Sequence, residues 1–305
     1  MTRRGFAVTD IQHRAARSIV EYMSIIDGLN STVPAGLWFR GQSNSSHRLI
    51  PSALRDLDQV TDGRGQPIQK GQTVTASGGL VAGPNPELML AEFRRQAYPF
   101  VERLPDNDFE WLFIAQHHGL PTRLLDWSTN ALVALYFAAS GAHQCAGDGL
   151  QECKEFLDGD EFRSDGFAVF VIDPCEVNKT AHGQPSTVDI ARAEEAWRHY
   201  LDPMAHDTVS NYSPVCVTAP HISPRIRSQS GTFTLHGSNI WPLDYYSALR
   251  PLVTKIFLPN TAAKSILESL ENAGINRSFI YPGLDSIAID VRTRHRSIYL
   301  SKTKS

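Results

Sequence analysis

The stretch AQHHGLPTRLLDWSTNALVALYFA at residues 115–138 decides how this chain is organised. It begins in a predicted helix over residues 108–118, which has Asp106 or Asn107 as its N-cap and which the GLP turn ends. Residues 122–126 are predicted to be short and extended. Polar and titratable residues therefore gather at a turn between two apolar segments, and we place the functional site there.

The helix that follows this turn is predicted to be buried, because NALVALYFAAS is apolar almost all round. Ser128 or Thr129 is expected to cap it. A helix N-terminus also presents backbone N–H groups and a dipole that favour an anion, so these two residues are candidate ligand contacts.

Outward from this stretch, the chain predicts an α+β fold with a mixed, mostly antiparallel sheet flanked by helices. Continuous apolar runs between turn residues predict strands, and apolar residues at helical spacing predict helices. The predicted strands lie at 37–39, 166–173, 214–219 and 253–259, with turn and strand mixed over 225–237. The predicted helices lie at 10–29, from 87 onward, 186–201, 262–273 and 284–293.

The chain is expected to form one domain over residues 1–305. The Gly-rich segment at 58–86 is predicted to be an exposed insertion, and residues 143–164 a polar excursion. Strands and helices do not alternate cleanly, no GxGxxG follows a predicted strand, and there is no P-loop. These absences disfavour ordinary dinucleotide oxidoreductases and ATPases.

Composition excludes several other classes. The formal net charge of −3 gives no general excess of basic residues for duplex nucleic acid, although a local basic patch remains open. The four cysteines form no CxxC pair, so a structural zinc site is not expected. The first residues lack the apolar run of a signal peptide, and no stretch reaches the length of a membrane span. A cytoplasmic protein without membrane contact is the resulting expectation.

The first candidate site cluster is Phe39-Arg40-Gly41-Gln42. A guanidinium at the end of a buried strand can hold a phosphate or carboxylate bidentately, and a glycine beside it lets a ligand approach the backbone. The alternative is that Arg40 forms a structural ion pair at the end of the strand. The tetrapeptide alone favours this alternative over a ligand site.

The second cluster lies within the quoted stretch. His117 and His118 are candidates for acid–base chemistry or phosphate binding. Arg123 and Asp126 are three residues apart and are expected to form a buried pair. In the alternative interpretation, one histidine is a satisfied core residue and the Arg123–Asp126 pair only fastens a loop.

A third cluster, RIRSQSGTFTLH at 225–236, offers Arg227 and Gln229 as a second wall of a cleft, or simply a hydrogen-bonded turn. A metal is not expected, since the adjacent His117 and His118 would point about 100° apart on a helix. A hydrolase triad has no support, because there is no GxSxG motif.

The chain resembles the FRG-domain family. The resemblance rests on FRGQ at 39–42, PSALR at 51–55, and above all AQHHGLPTRLLDWSTNALVALYFA at 115–138, and it extends over about residues 20–290. It implies a single FRG domain and an association with bacterial or phage defence or toxin modules.

More distantly, LWFRG and LLDWSTNALVALYFA are similar to the first two sequence elements of ADP-ribosyltransferases. That resemblance implies an ADP-ribosyltransferase-like fold, with Arg40 holding the NAD phosphates or ribose and Ser128 and Thr129 supporting the nicotinamide ribose. The family's third element usually supplies a glutamate. RSQSGTF offers Gln229 instead, so Asp126 or Asp285 would have to take that role.

Three functions follow as expectations. The first is an ADP-ribosyltransferase that uses NAD as substrate and modifies a protein or nucleic acid, as a toxin or defence effector with an antitoxin or defence partner. The site residues are then, for catalysis, Arg40, His117, His118, Asp126 and Gln229, and, for NAD binding, Arg40, Gly41, Gln42, Arg123, Ser128, Thr129 and Arg227. The second is a non-catalytic nucleotide- or RNA-binding module, and the third a structural or partner-binding domain.

Overall fold

The computed structural model describes residues 10–30, 33, 36–55, 60–61, 67–68, 84–101, 103–190, 192–201, 212–218, 223–238 and 241–303. Its strands are β1 (Gln12–Ala15), β2 (Trp38–Gln42), β3 (Val60–Thr61), β4 (Pro67–Ile68), β5 (Leu124–Ser128), β6 (Gly166–Ile172), β7 (Val188–Asp189), β8 (Val215–Thr218), β9 (Gly231–Leu235) and β10 (Val253–Pro259). Its helices are α1 (Ile19–Asn30), α2 (Ser52–Arg55), α3 (Pro86–Ala97), α4 (Asp108–His117), α5 (Ala131–Ser140), α6 (Leu150–Leu157), α7 (Pro174–His182), α8 (Glu194–Trp197), α9 (Pro224–Ser228), α10 (Ala263–Asn272), α11 (Arg277–Ile280) and α12 (Leu284–Thr303).

Among the described residues, eight strands form one sheet in the order β1-β10-β6-β2-β5-β9-β8-β7. Neighbouring strands run antiparallel except for β1 with β10 and β7 with β8, which are parallel. Helices flank the sheet, so the predicted α+β class with a mostly antiparallel sheet is confirmed. No helix in the described part of the chain is both long and apolar enough to cross a bilayer.

Strands β6 and β10 form the centre of the hydrophobic core. Every residue of both strands is buried, and the two strands pair over their full length, from Val253 opposite Ile172 to Pro259 opposite Gly166. One face of the sheet packs on α1, α5 and α10, and the other on the segment that contains Leu243, Tyr246 and Leu249. Burial on both faces explains why these strands are apolar at nearly every position.

The junction between β2 and β5 is quite different. Strand β2 pairs with β6 at all five of its residues, but with β5 at a single position, Phe39 opposite Ser128. The sheet therefore consists of two four-stranded halves, β1-β10-β6-β2 and β5-β9-β8-β7, that are joined at one residue pair.

Helix α5 packs directly on β2 next to this junction, at Gly41. A Cβ atom at position 41 would lie 2.0 Å from the carbonyl oxygen of Ala134 and 2.7 Å from the backbone nitrogen of Ala138. Glycine is therefore required at position 41 because a helix backbone approaches it closely. The sequence predicted the close approach of a ligand instead.

Several predicted elements differ from the structure near the N-terminus. The helix predicted over 10–29 begins only at Ile19, because Gln12–Ala15 forms a strand parallel to β10, whose residues are some 240 positions away in the chain. Helix α3 has no buried residue, and its Leu88 is 70% exposed. Most of the predicted insertion at 58–86 lies outside the described residues.

Other differences lie in the second half of the chain. The helix predicted over 186–201 is instead a short strand, β7, followed by α8 and a 3-10 turn at Arg198–Tyr200. The polar excursion at 143–164 contains α6, which buries Cys153 and Phe156. The final helix extends from Leu284 to Thr303, ten residues beyond the predicted end.

Candidate functional site

A cavity of about 310 Å³ lies at the junction of β2 and β5. Strands β2 and β5, helices α4 and α5, and the segment from α9 into the following turn all contribute to its wall. The lining residues that matter below are Arg40, Gly41, Gln42, Gln116, Asp126, Ser128, Arg225 and Gln229. Six of these are predicted site residues, so the structure brings most of the predicted site together around one cavity.

Arg40 supplies a largely buried cation at the cavity wall, with 13% of its side chain exposed. Its Nη1 donates to the backbone oxygen of Asp126 at 2.6 Å and lies 3.7 Å from Oδ2 of the same residue. Its Nε is buried and has no hydrogen-bond partner among the described residues. Burial lowers the pKa of Arg40 to about 10, an effect that the Asp126 carboxylate opposes. The guanidinium therefore stays protonated at neutral pH and keeps hydrogen-bonding capacity for a ligand.

The hydrogen bond from Arg40 to the Asp126 carbonyl takes the place of a backbone hydrogen bond between β2 and β5. A ladder that continued from Phe39 and Ser128 would place Asp126 opposite Gly41. Instead, the side chain of Arg40 satisfies this carbonyl, and the space beyond the single residue pair belongs to the cavity.

The Asp126 carboxylate is held by a chain of side-chain hydrogen bonds. Gln116 Nε2 donates to both carboxylate oxygens, at 3.2 and 3.1 Å. Thr122 Oγ1 donates to Gln116 Oε1 at 2.6 Å, which fixes the amide with its nitrogen toward Asp126. Gln116 is absent from the predicted site residues, although it lies in the last turn of α4, directly before the two histidines.

Ser128 ties the end of β5 to the turn that carries Gln229. Its hydroxyl donates to the Gln229 backbone oxygen at 2.7 Å and accepts from the Asn130 backbone N–H at 3.0 Å. Asn130 is the N-cap of α5, so the prediction of Ser128 or Thr129 as the cap is wrong. Thr129 is exposed and does not line the cavity.

The side chain and the backbone of Gln229 are both held in place. Its Nε2 donates to the Ile280 backbone oxygen at 3.0 Å, and the next residue, Ser230, adopts a positive φ of 49°, which is uncommon outside glycine. The backbone N–H of Thr129 donates to the Ser230 oxygen at 3.0 Å and locks this turn against β5.

Arg123 lies away from the cavity. Its Nε donates to Glu87 Oε1 at 2.8 Å and its Nη1 to the Gly237 backbone oxygen at 3.0 Å. The predicted pair of Arg123 with Asp126 is therefore wrong. Residues three apart along an extended strand point to opposite faces, whereas the predicted pairing needed them on the same face.

The rings of His117 and His118 lie edge to face with centroids 5.1 Å apart, but they line different pockets. His117 lines a side pocket of about 60 Å³ next to the main cavity, together with Gln116 and Asp126. Burial lowers its pKa, with Arg225 and His118 adding to the effect, so its imidazole is neutral at pH 7. His118 is exposed and faces a separate apolar groove against α3.

His236 is a buried neutral imidazole between two cations. Burial lowers its pKa to about 3, with further lowering by Arg123 and Arg40. Its Nε2 lies 3.4 Å from the hydroxyl of Thr234, and its buried Nδ1 has no partner among the described residues. His236 thus packs between the two arginine sites without adding a positive charge.

A metal centre is not assembled in the described part of the chain, where no three His, Cys, Asp or Glu side chains come close enough together to bind an ion.

The comparisons with known proteins support the resemblance found in the sequence. Residues 35–146 match the family model of the FRG domain. This range contains β2, α4, β5 and the whole of α5, and so most of the cavity wall, although it is shorter than the 20–290 over which the resemblance was expected to extend. The similarity to the FRG domain is thus shown for residues 35–146. Searches of curated proteins and of solved structures give no match.

Proposed function

We propose that the cavity between β2 and β5 binds NAD and that the protein transfers ADP-ribose from NAD to a macromolecular target. One observation carries this proposal. Arg40, Asp126, Ser128 and Gln229, taken from segments far apart in the chain, line a single cavity. The resemblance to ADP-ribosyltransferases selects all four, although it also selects Thr129, and offers Asp285 in place of Asp126, and neither of these lines the cavity.

The charges of the cavity suit a dinucleotide. Arg40 is a largely buried cation whose Nε has no partner among the described residues, and Arg225 lines the same wall. Arginine binds phosphate oxygens through several donors at once, so these two side chains are the candidates for the pyrophosphate. A volume of about 310 Å³ is at the lower end of the range for ligand pockets, about 300–1,000 Å³, and suits the nicotinamide riboside half of NAD.

The transfer needs few groups from the protein. The bond between nicotinamide and C1′ of the ribose breaks, and nicotinamide leaves as a neutral base with the bonding electron pair. C1′ becomes cationic and accepts an electron pair from the target nucleophile, whose proton passes to Asp126 or water. A fixed carboxylate stabilises such a developing cation because it needs no reorganisation during the reaction. Asp126, oriented by Gln116, takes this role.

A second candidate function is nucleotide binding without turnover. Asp126 is the single carboxylate among the described residues that line the cavity, and its Oδ2 lies 3.7 Å from Arg40. An arginine so close reduces the negative potential available to a cationic C1′. This arrangement favours a module that binds a nucleotide and does not cleave it.

A thermal-shift titration with NAD, ADP-ribose and mononucleotides tests the binding step. A ligand at 100 times its dissociation constant stabilises the folded state by about 2.7 kcal/mol, which raises the Tm measurably. We expect NAD or ADP-ribose to do so for the wild type and not for Arg40→Ala. Arg192→Ala is the matched control, since the Arg192 side chain is 88% exposed in a surface pair with Asp189.

Nicotinamide release then separates the two candidates. Release by the wild type and its absence in Asp126→Asn support the transferase, and NAD binding without release supports the binding module. If no nucleotide shifts the Tm of folded wild-type protein, both are excluded.

If the protein acts as a toxin or defence effector, expression of the wild type should slow bacterial growth. Expression of Arg40→Ala should not. Equal growth with the wild type and with Arg40→Ala would exclude a toxin role. It would not test NAD cleavage, which the nicotinamide-release assay measures directly.

A further inference from the structure

A second, larger cavity of about 600 Å³ lies on the far side of α9 from the first. Arg225 and Gln229 line the first cavity, whereas Arg227 and Ser228 line the second. The short helix α9 is thus a partition between two cavities. An occupant of the second would reach the mouth of the first by passing over α9.

The surface around α9 carries three arginines that form no ion pair among the described residues. Arg225, Arg227 and Arg277 have no ion pair within the described residues, in contrast to Arg123, Arg163 and Arg250, which are each paired. Three unpaired arginines on a protein of net charge −3 point to an anionic partner.

Aromatic side chains lie among these arginines. The guanidinium carbons of Arg225 and Arg277 lie 4.9 and 5.4 Å from the ring centroid of Tyr281. Phe279, which is 39% exposed, lines the second cavity together with Pro282. Its ring is accessible for stacking.

Arginines interleaved with an exposed aromatic ring are the chemistry that recognises single-stranded nucleic acid. The phosphates are neutralised by guanidinium groups, and an unpaired base stacks on the ring. A free phosphate would need the arginines but not the exposed ring, and a duplex would not present its bases to Phe279.

We propose that the second cavity binds single-stranded nucleic acid, with a phosphate at Arg227, a base on Phe279 and the neighbouring phosphate at Arg277, which lies outside the cavity wall at the start of α11. In addition, α9 would bring the bound strand to the mouth of the first cavity, where the strand would be the acceptor of ADP-ribose. This acceptor assignment rests on the proposed function. Binding itself does not rest on it.

Fluorescence anisotropy with short labelled oligonucleotides, in the absence of NAD, tests this inference. We expect single-stranded DNA or RNA to bind, and the matching duplex to bind more weakly. The double variant Arg227→Ala/Arg277→Ala should bind more weakly, and the slope of log K against log salt should fall by about 0.7 for each phosphate that is no longer neutralised. Phe279→Ala should lower affinity about tenfold without changing that slope. Arg192→Ala should bind as the wild type, and equal Tm values establish that all variants are folded.

The outcomes are distinct from those of the NAD experiment. Failure of every oligonucleotide to bind, or binding that is unchanged in Arg227→Ala/Arg277→Ala and in Phe279→Ala, overturns the inference whatever NAD does. Oligonucleotide binding without NAD binding supports the nucleic-acid site at the second cavity and excludes the proposed transferase activity. Once NAD cleavage is established, labelled NAD tests the acceptor. Label that appears on protein and not on the bound strand overturns the assignment of the strand as acceptor.

Discussion

Two strand junctions in the same sheet differ in almost every respect. Strands β6 and β10 pair at all seven positions with every residue buried, whereas β2 and β5 pair at one position and leave a polar cavity beside it. At the first junction, backbone hydrogen bonds and apolar side chains supply the stability. At the second, a side chain, that of Arg40, satisfies a strand carbonyl.

The comparison shows how a site can be built without weakening the sheet as a whole. The polar junction lies between two continuous halves, so its missing hydrogen bonds are confined to the region that a ligand can fill. Helix α5 covers the junction and packs on β2 at Gly41. The predictions below test how far stability and ligand binding are separated between the two kinds of junction.

The largest expected effect is that of Gly41→Ala. The added methyl group would overlap the Ala134 carbonyl and push α5 away from β2, and we expect a loss of about 5 kcal/mol or more in the free energy of unfolding. Urea denaturation measures it. Gly28→Ala is the matched control, because a Cβ there meets nothing within 4 Å and alanine favours the helix by about 0.5–1 kcal/mol. A Gly41→Ala protein as stable as the wild type would contradict the close packing of α5 on β2.

Arg123→Ala should give the next largest effect. Arg123 is 5% exposed and pairs with Glu87, so the variant leaves a carboxylate without its partner and should lose about 3–5 kcal/mol. The double variant Arg123→Met/Glu87→Met tests the cause, because removing both charges should recover part of the loss. If NAD binding by a folded Arg123→Ala protein were abolished while its stability remained, Arg123 would belong to the site after all.

What the sequence could predict follows from the range of the interactions involved. Strands β6, β8 and β10 are apolar runs between turn residues, and each was predicted nearly to its ends. The cavity residues Arg40, Asp126 and Ser128 could be predicted because they lie in short motifs at element boundaries.

The errors arise where a distant partner determines the local structure. Strand β5 continues through Trp127 and Ser128 because they pair with Thr232 and Gly231, about a hundred residues away. This extension moves the N-cap of α5 to Asn130, a residue type that caps as readily as serine. Strand β1 likewise depends on β10. Gln116 was missed because its role requires Asp126 to be on a strand facing α4, which spacing alone does not show.

Acid should destabilise the protein through His236. Its pKa in the folded state is lowered to about 3, below the value of about 6.5 in the unfolded chain. The unfolded state therefore binds the additional proton, and stability falls by about 1.4 kcal/mol per pH unit as pH decreases from about 6.5 toward 3.

His236→Gln tests this assignment through the slope of stability against pH, which should become shallower even if the variant is less stable at every pH. Thr234→Val removes the hydroxyl beside the imidazole and keeps the histidine, so its slope should remain that of the wild type. Slopes that are identical in His236→Gln and the wild type would assign the acid sensitivity to other groups.

Asp126→Asn should have the smallest effect on stability and the clearest effect on the site. The Asp126 side chain is 59% exposed and lies 3.7 Å from Arg40, so the loss of this charge should change the free energy of unfolding by about 0–1 kcal/mol. Nicotinamide release, in contrast, should fall by at least the roughly hundredfold that removal of one electrostatic interaction with a transition state costs. Gln116→Leu should reproduce part of this fall, since the carboxylate remains but its two hydrogen bonds from Gln116 do not. A variant pair with unchanged release and lowered stability would reverse the comparison, because the β2–β5 junction would then be a structural joint like that of β6 and β10.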